Sequence, residues 1–190
     1  DDVNSFFPEC NGRSSYNILH LDAMFDLLQH TYIDVNLDGL RNFNERTALC
    51  SMVDRSSVSS ALLIADRGYE GYNLMAHCQE KGWKFLIRIQ DILNSRGIAA
   101  GLDLPDSLEF ALSASISLTT KQTKETLFLS RNKNQFKILK TSRPFDFLPM
   151  KNQKFDPAVF FDIHFRIVRF RIADNSYETV VTNLDSVDCP

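Results

Sequence analysis

The run Ala-Leu-Leu-Ile-Ala at 61–65 constrains the fold of this chain more than any other stretch. An unbroken apolar segment of this length, without polar alternation, reads as a strand in the middle of a sheet with both faces covered. NLMAHCQEKG (73–82) then reads as a helix, with Asn73 as its cap and Gly82 as its stop, and KFLIRIQ (84–90) as the next strand. Two strands joined through a helix pair in parallel, so this region carries a strand–helix–strand unit.

The preceding residues extend the sheet. NILHLDAMFDLL (17–28) sets Leu19, Leu21, Ala23, Phe25 and Leu27 on one period-two face, and TYIDVNLDGL (31–40) sets Ile33, Val35 and Leu37 against Tyr32, Asp34, Asn36 and Asp38. The short break Gln29-His30 between them makes an antiparallel hairpin, expected in the same sheet as 61–65. NERTALCSMVDR changes the period, with Ala48, Leu49, Met52 and Val53 on one helical stripe and Asn44 placed as N-cap. The first ninety residues thus read strand, strand, helix, strand, helix, strand, an α/β (α+β) mixed sheet.

From residue 91 onward helical periodicity is lost. ALSASISL (111–118) alternates strictly, and FFDIHFRIVRFRI (160–172) with YETVVTNL (177–184) flanks the turn-rich Ala-Asp-Asn-Ser as a hairpin. In the first of these strands the apolar set moves from Ile163, Phe165 and Ile167 to Val168, Phe170 and Ile172, a change of parity that suggests a β-bulge. The expected organisation is a core over 1–90 and a β-rich insertion over 91–190.

With 190 residues, 44% of them apolar, the chain can bury a sizeable core. No window approaches the roughly 18 apolar residues of a membrane span. DDVNSFFPEC lacks the basic start and apolar stretch of a secretion signal, so a cytoplasmic location is expected. Cys10, Cys50, Cys78 and Cys189 make no paired spacing and read as reduced, mostly buried thiols. The net charge of −3 is unevenly spread: residues 1–81 hold six Lys/Arg against twelve Asp/Glu, and residues 82–171 hold fifteen against eight. The excess concentrates at 121–154, where Lys121, Lys124, Arg131, Lys133, Lys137, Lys140, Arg143, Lys151 and Lys154 face only Glu125 and Asp146. An acidic half beside a basic half suits a metal-dependent enzyme acting on a polyanion, and equally a solvated lysine-rich surface.

Asp66 follows the 61–65 run directly. A carboxylate at the C-terminal end of such a strand stands where open α/β sheets bind ligands, and Gly68 would let the backbone turn away from it. The alternative is a structural role, as the cap of a turn or as a partner of Arg67 or Arg88. His20, His30, His77 and His164 show no ligand spacing, and no nucleophile elbow, phosphate loop or dinucleotide fingerprint occurs.

IADRGYEGYNLMAHCQEKGWKFLIRIQD, with NERTAL upstream and SYETVVTNLD downstream, resembles the DDE transposases of bacterial insertion sequences, in the group named after insertion sequence four. The likeness continues through YNILHLDAMFDLL, RGIAAGLDLPDS, LTTKQTKET, FDFLPMKN and FRIVRF and so spans essentially the whole chain. It implies a ribonuclease H-like catalytic fold interrupted by a β-rich insertion, and assigns Asp66 as the second of three catalytic, metal-binding acids. The family's first Asp would lie before residue 1 and its Glu beyond Pro190, so the resemblance is to an internal fragment, inactive alone. The implied parent binds two Mg²⁺ (or Mn²⁺) ions and cuts and joins double-stranded DNA at transposon ends and targets, with a homodimer expected in the DNA complex, in the bacterial cytoplasm and nucleoid. Lys121, Lys124, Lys151, Lys154, Arg166, Arg169 and Arg171 are the expected DNA contacts. A non-catalytic remnant or DNA-binding module with the same fold is the alternative reading.

Overall fold

In the computed structural model, residues 5–41, 43–90, 92, 97–140, 145–149 and 157–187 are described. The chain divides into two compact units, Asp1–Val58 and Ser59–Pro190.

In the first unit, β1 (Phe6–Phe7) pairs with β2 (Tyr16–Asn17), and β3 (Leu19–Asp26) pairs antiparallel with β4 (Thr31–Gly39) as the sequence pattern requires. Met24 pairs with Asp34 and Phe25 with Tyr32, so Ile33 is an extra residue bulged out of β4. Helix α1 (Glu45–Arg55) starts at Asn44, whose side chain accepts from the Thr47 N–H. It packs on the hairpin. Asp22 and Met24 are buried, and Arg55 grips Asp34 through Nε at 2.7 Å and Nη2 at 2.9 Å. The Asp34 carboxyl is held below its ordinary range by that bond. Leu19, Leu21, Phe25, Val35 and Leu37, by contrast, are exposed. One expectation is corrected here: the hairpin forms a two-stranded sheet of its own. Its apolar face is open, while α1 covers the more polar one.

The second unit is a six-stranded mixed sheet in the order β5-β6-β10-β9-β7-β8, made of β5 (Leu62–Ala65), β6 (Lys84–Arg88), β7 (Phe110–Thr119), β8 (Phe136–Ile138), β9 (Phe161–Ala173) and β10 (Ser176–Thr182). Strands β5 and β6 are parallel and joined through α2 (Tyr72–Lys81); a short α3 (Lys124–Leu129) precedes β8. The fold is therefore mixed α+β, compatible with a ribonuclease H-like sheet. Phe85, Ile87, Ile116, Leu118, Ile163, Phe165, Ile167 and Val181 are buried in the sheet, and Leu74, Met75 and Cys78 are buried in α2, which packs on β6 and β9. Each such side chain contributes about 1.5–3 kcal/mol by leaving water.

The strand over 61–65 is not central. β5 is the edge of the sheet, and Leu62 and Ile64, which share one of its faces, are half exposed, so the run is covered on one face only. Helix α2 begins one residue before the expected cap, after Gly71, because the Asn73 amide is engaged elsewhere: it donates to Asp146 Oδ2 at 2.8 Å and accepts from the Asp146 N–H at 2.9 Å. Gly82 ends α2 at φ 74°, a left-handed conformation glycine tolerates. Strand β9 runs without a bulge past Ile167–Val168; its pairing with β10 shifts at Ser176/Tyr177 instead. Val168, Phe170 and Ile172 simply lie on its more open face.

Two side-chain amides extend the sheet where strand pairing stops. Gln79 donates to the Asp162 carbonyl and accepts from the His164 N–H, and Asn183 accepts from the Phe85 N–H while donating to the Trp83 carbonyl. Each reproduces one rung of a β-ladder. Cys50 and Cys78 are buried as expected, Cys10 is exposed, and Cys189 lies outside the described residues. Among the described residues no helix is long and apolar enough to cross a membrane.

Candidate active site

Parallel register builds the site. Ala65 pairs with Ile87, so the next residues, Asp66 and Arg88, come level at the C-terminal ends of adjacent strands and on the same face. Arg88 in turn pairs with Val180 of β10, and Glu178, two residues away, shares that face. One row across three strands therefore reads Asp66, Arg88, Glu178.

The chain leaves Asp66 in an extended conformation and enters a 3₁₀ turn over Arg67–Tyr69, where the Tyr69 N–H bonds the Asp66 carbonyl. Gly68 is not among the glycines with positive φ, so the turn does not depend on it. The Asp66 side chain is 64% exposed and caps nothing with its carboxylate. Of the two arginines that could pair with it, the structure selects Arg88, whose Nη1 lies 3.1 Å from Asp66 Oδ1. Arg88 holds Glu178 more tightly, with Nη2 donating to Oε2 at 2.7 Å, and Arg67 approaches the other Glu178 oxygen at 3.4 Å. That bond to Glu178, with the Asp66 charge adding to it, raises the Arg88 pKa above its ordinary value. Two carboxylates and two guanidinium groups thus balance one another at an open corner.

Four residues on, Glu70 does the opposite job. It is buried, and its carboxylate accepts from the backbone N–H groups of Gln90 at 2.8 Å and of Ile98. A Cβ on Gly97 would stand 2.9 Å from its Oε1, so a side chain there would push the Glu70 carboxylate from its place. Burial, with the Glu70 charge assisting, pushes the neighbouring Tyr72 hydroxyl well above its usual range. The Tyr72 ring also underlies the Lys137 ammonium, 5.0 Å from its centroid.

The expected DNA contacts do not form one stripe. Lys124 and Arg171 are exposed, as are Arg131, Lys133 and Lys140. Lys121 is buried, a correction to its place on an open surface: its backbone is tied into the α3 cap, the N–H donating to Thr119 Oγ1 and the carbonyl accepting from Thr126 Oγ1. Arg166 pairs with Ser113 on one face of the sheet, whereas Arg169 and Arg171, three and five residues further along the strand, belong to opposite parity. Arg169 is half-buried over the Tyr177 ring and donates to Thr179 Oγ1. Lys151 and Lys154 lie outside the described residues.

Residues 5–154 match the family model described as the transposase DDE domain. The chain belongs to that family. No curated protein and no solved structure matches it. Membership in the transposase family implies DNA transposition, divalent-metal chemistry and DNA as partner. The metal fits at Asp66 in donor chemistry, since a carboxylate is a hard oxygen ligand suited to Mg²⁺ or Mn²⁺ and already draws a cation, the Arg88 guanidinium. Among the described residues, no three His, Cys, Asp or Glu side chains converge as a metal-binding group, so Asp66 is at most one ligand of a larger set. Sequence reasoning missed Glu178 as a site residue; only the β6–β10 pairing brings it beside Arg88, across ninety residues of chain.

Proposed function

We propose that this chain is an internal segment of the catalytic domain of a bacterial insertion-sequence transposase, in the insertion sequence four group, and that Asp66 is one of three acidic metal ligands in the complete enzyme. The observation that carries this reading is the position of Asp66: an exposed carboxylate closing a parallel strand at the ligand-binding end of the sheet, in a chain of the transposase DDE family. The open outer edge of β5, with Leu62 and Ile64 exposed, supports a further strand beside it in the parent protein. Residues 1–90 would belong to the ribonuclease H-like core and 91–190 to the β-rich insertion, with β10 of the insertion adding to β6 of the core.

In the parent enzyme Mg²⁺ (or Mn²⁺) ions, held in part by Asp66, would supply the activation of the attacking oxygen and the stabilisation of the leaving one. The part of this chain is to present Asp66 in the open and to hold the phosphate backbone. Lys124 and Arg171 are exposed and would contribute to that, and Arg166, Arg169, Lys151 and Lys154 complete the proposed cationic set. The setting is the bacterial cytoplasm and nucleoid, with a homodimer assembling on the transposon ends.

Two assays on the purified 190-residue chain test this. Supercoiled plasmid incubated with Mg²⁺ stays intact, because ligands from outside the segment are needed; Mg²⁺-dependent nicking lost on Asp66→Ala would show the segment to be a complete nuclease. Duplex DNA binding, followed by fluorescence anisotropy, weakens with salt by about 0.9 in log K per phosphate contact for each unit of log salt. The triple variant Lys124→Gln, Lys151→Gln, Lys154→Gln flattens that slope, and an unchanged slope would assign these lysines to a solvated face.

A further inference from the structure

We infer that Arg88 is a resident, movable cation of the Asp66 site: it holds the Asp66 carboxylate in the metal-free protein, and Glu178 is the positioning residue that draws it away when a divalent ion takes Asp66. The inference rests on the reading of Asp66 as a metal ligand and goes beyond it by giving roles to Arg88 and Glu178.

The geometry is asymmetric in the required sense. Arg88 reaches Glu178 by a 2.7 Å hydrogen bond to a carboxylate only 17% exposed, and reaches Asp66 at 3.1 Å, at a carboxylate 64% exposed. Charge-assisted bonds are stronger when short and screened from water, so the guanidinium is anchored at Glu178 and leans on Asp66. Its Nε–H, buried, has no acceptor among the described residues, so its present position does not satisfy the whole fork. Arg67 contacts the far oxygen of Glu178, leaving Oε2 to Arg88. A guanidinium near a divalent ion repels it, so Arg88 either leaves Asp66 or lowers its affinity for metal. Glu178 offers a place to retreat to, a few ångströms along the same sheet row, without exposing an unpaired buried charge. In this scheme Glu178 acts through Arg88 and does not itself coordinate the ion.

The probe is Mn²⁺ alone, titrated into the 190-residue chain and its variants, with free Mn²⁺ read by its electron paramagnetic resonance signal and folding checked by circular dichroism. Arg88→Gln tightens Mn²⁺ binding by roughly three- to tenfold, since it removes one competing charge within a few ångströms. Arg88→Lys, which keeps the charge, stays within about twofold of the parent chain. Glu178→Gln weakens binding in the parent background and does so clearly less in the Arg88→Gln background, because most of its influence runs through Arg88. Weakening of equal size in both backgrounds would make Glu178 a ligand and overturn the inference, as would unchanged or weaker binding in Arg88→Gln. Asp66→Asn separates this from the underlying reading: if it leaves Mn²⁺ binding intact, Asp66 is not a ligand, whereas if it abolishes binding while Arg88→Gln does not tighten it, only the exchange scheme fails. Should the parent chain bind too weakly to measure, the titration is carried to Mn²⁺ concentrations at which Arg88→Gln shows binding, and Arg88→Gln that binds no more Mn²⁺ than the parent there contradicts the scheme.

Discussion

Asp66 and Glu70 stand four residues apart in one turn, and the chain uses them in opposite ways. Glu70 is turned inward, where two backbone N–H groups from 90 and 98 satisfy its carboxylate and tie the end of β6 to the segment that follows. Asp66 is turned outward, paired among the described residues with the side chain of Arg88. A carboxylate locked by main-chain donors cannot be released to a ligand without leaving those donors unpaired in the interior, at about 1–3 kcal/mol each. One held by an exposed guanidinium can be released at little cost, because such pairs are worth about 0–1 kcal/mol. The pair shows that partner type and burial, more than acidity or position in sequence, decide which acid is free for chemistry.

The largest effect that sharpens this contrast is on Glu70. Glu70→Ala strips the acceptor from two N–H groups and is expected to lower unfolding stability by about 2–5 kcal/mol, read from urea midpoints at constant slope. A loss below about 1 kcal/mol would break the comparison from the structural side. Asp66→Asn is expected to change stability by less than about 0.5 kcal/mol in the same titration, since its charge partner among the described residues is exposed. A large loss there would make Asp66 a second structural acid.

A third acid, Asp146, lies between these extremes and carries the smallest effect. The Asn73 amide, and secondarily His77 at 2.9 Å, hold its carboxyl below the usual carboxylate range. A lowered folded value means that its contribution is fully present above the unfolded value of about 4 and is lost as pH falls through the folded one. The side chain is more than half exposed, so screening limits the contribution to about 0.5 kcal/mol or less. Asp146→Asn should therefore flatten the stability profile below about pH 4 and leave it parallel to the parent above pH 5, as followed by thermal melts.

Features set by neighbouring residues were legible in the sequence. Asn44 capping α1, Gly82 ending α2 and the strand that closes on Asp66 all follow from local rules, and the structure shows each of them. What the sequence hid depends on partners far along the chain. Asn73 is not a cap because Asp146 competes for its amide, and Glu178 joins Asp66 only through the order of strands β5, β6 and β10. The run at 61–65 looked central because periodicity reports apolar content, not which side of a strand has a neighbour; Leu62 and Ile64 lie exposed at a sheet edge. Lys121 sits in a strongly basic stretch, yet the cap of α3 draws its backbone inward and the residue with it. Charge density along a sequence does not say which lysines reach water.

The central claim is that the corner at Asp66 takes a divalent cation and the clamp at Glu70 does not. Paramagnetic broadening of backbone amide resonances by Mn²⁺ tests it most directly, because broadening falls steeply with distance from the ion. The account predicts early broadening centred on residues 66–67, 88 and 178, absent in Asp66→Asn. Broadening that spreads evenly over the acidic surface, or that persists around residue 66 in Asp66→Asn, would contradict it.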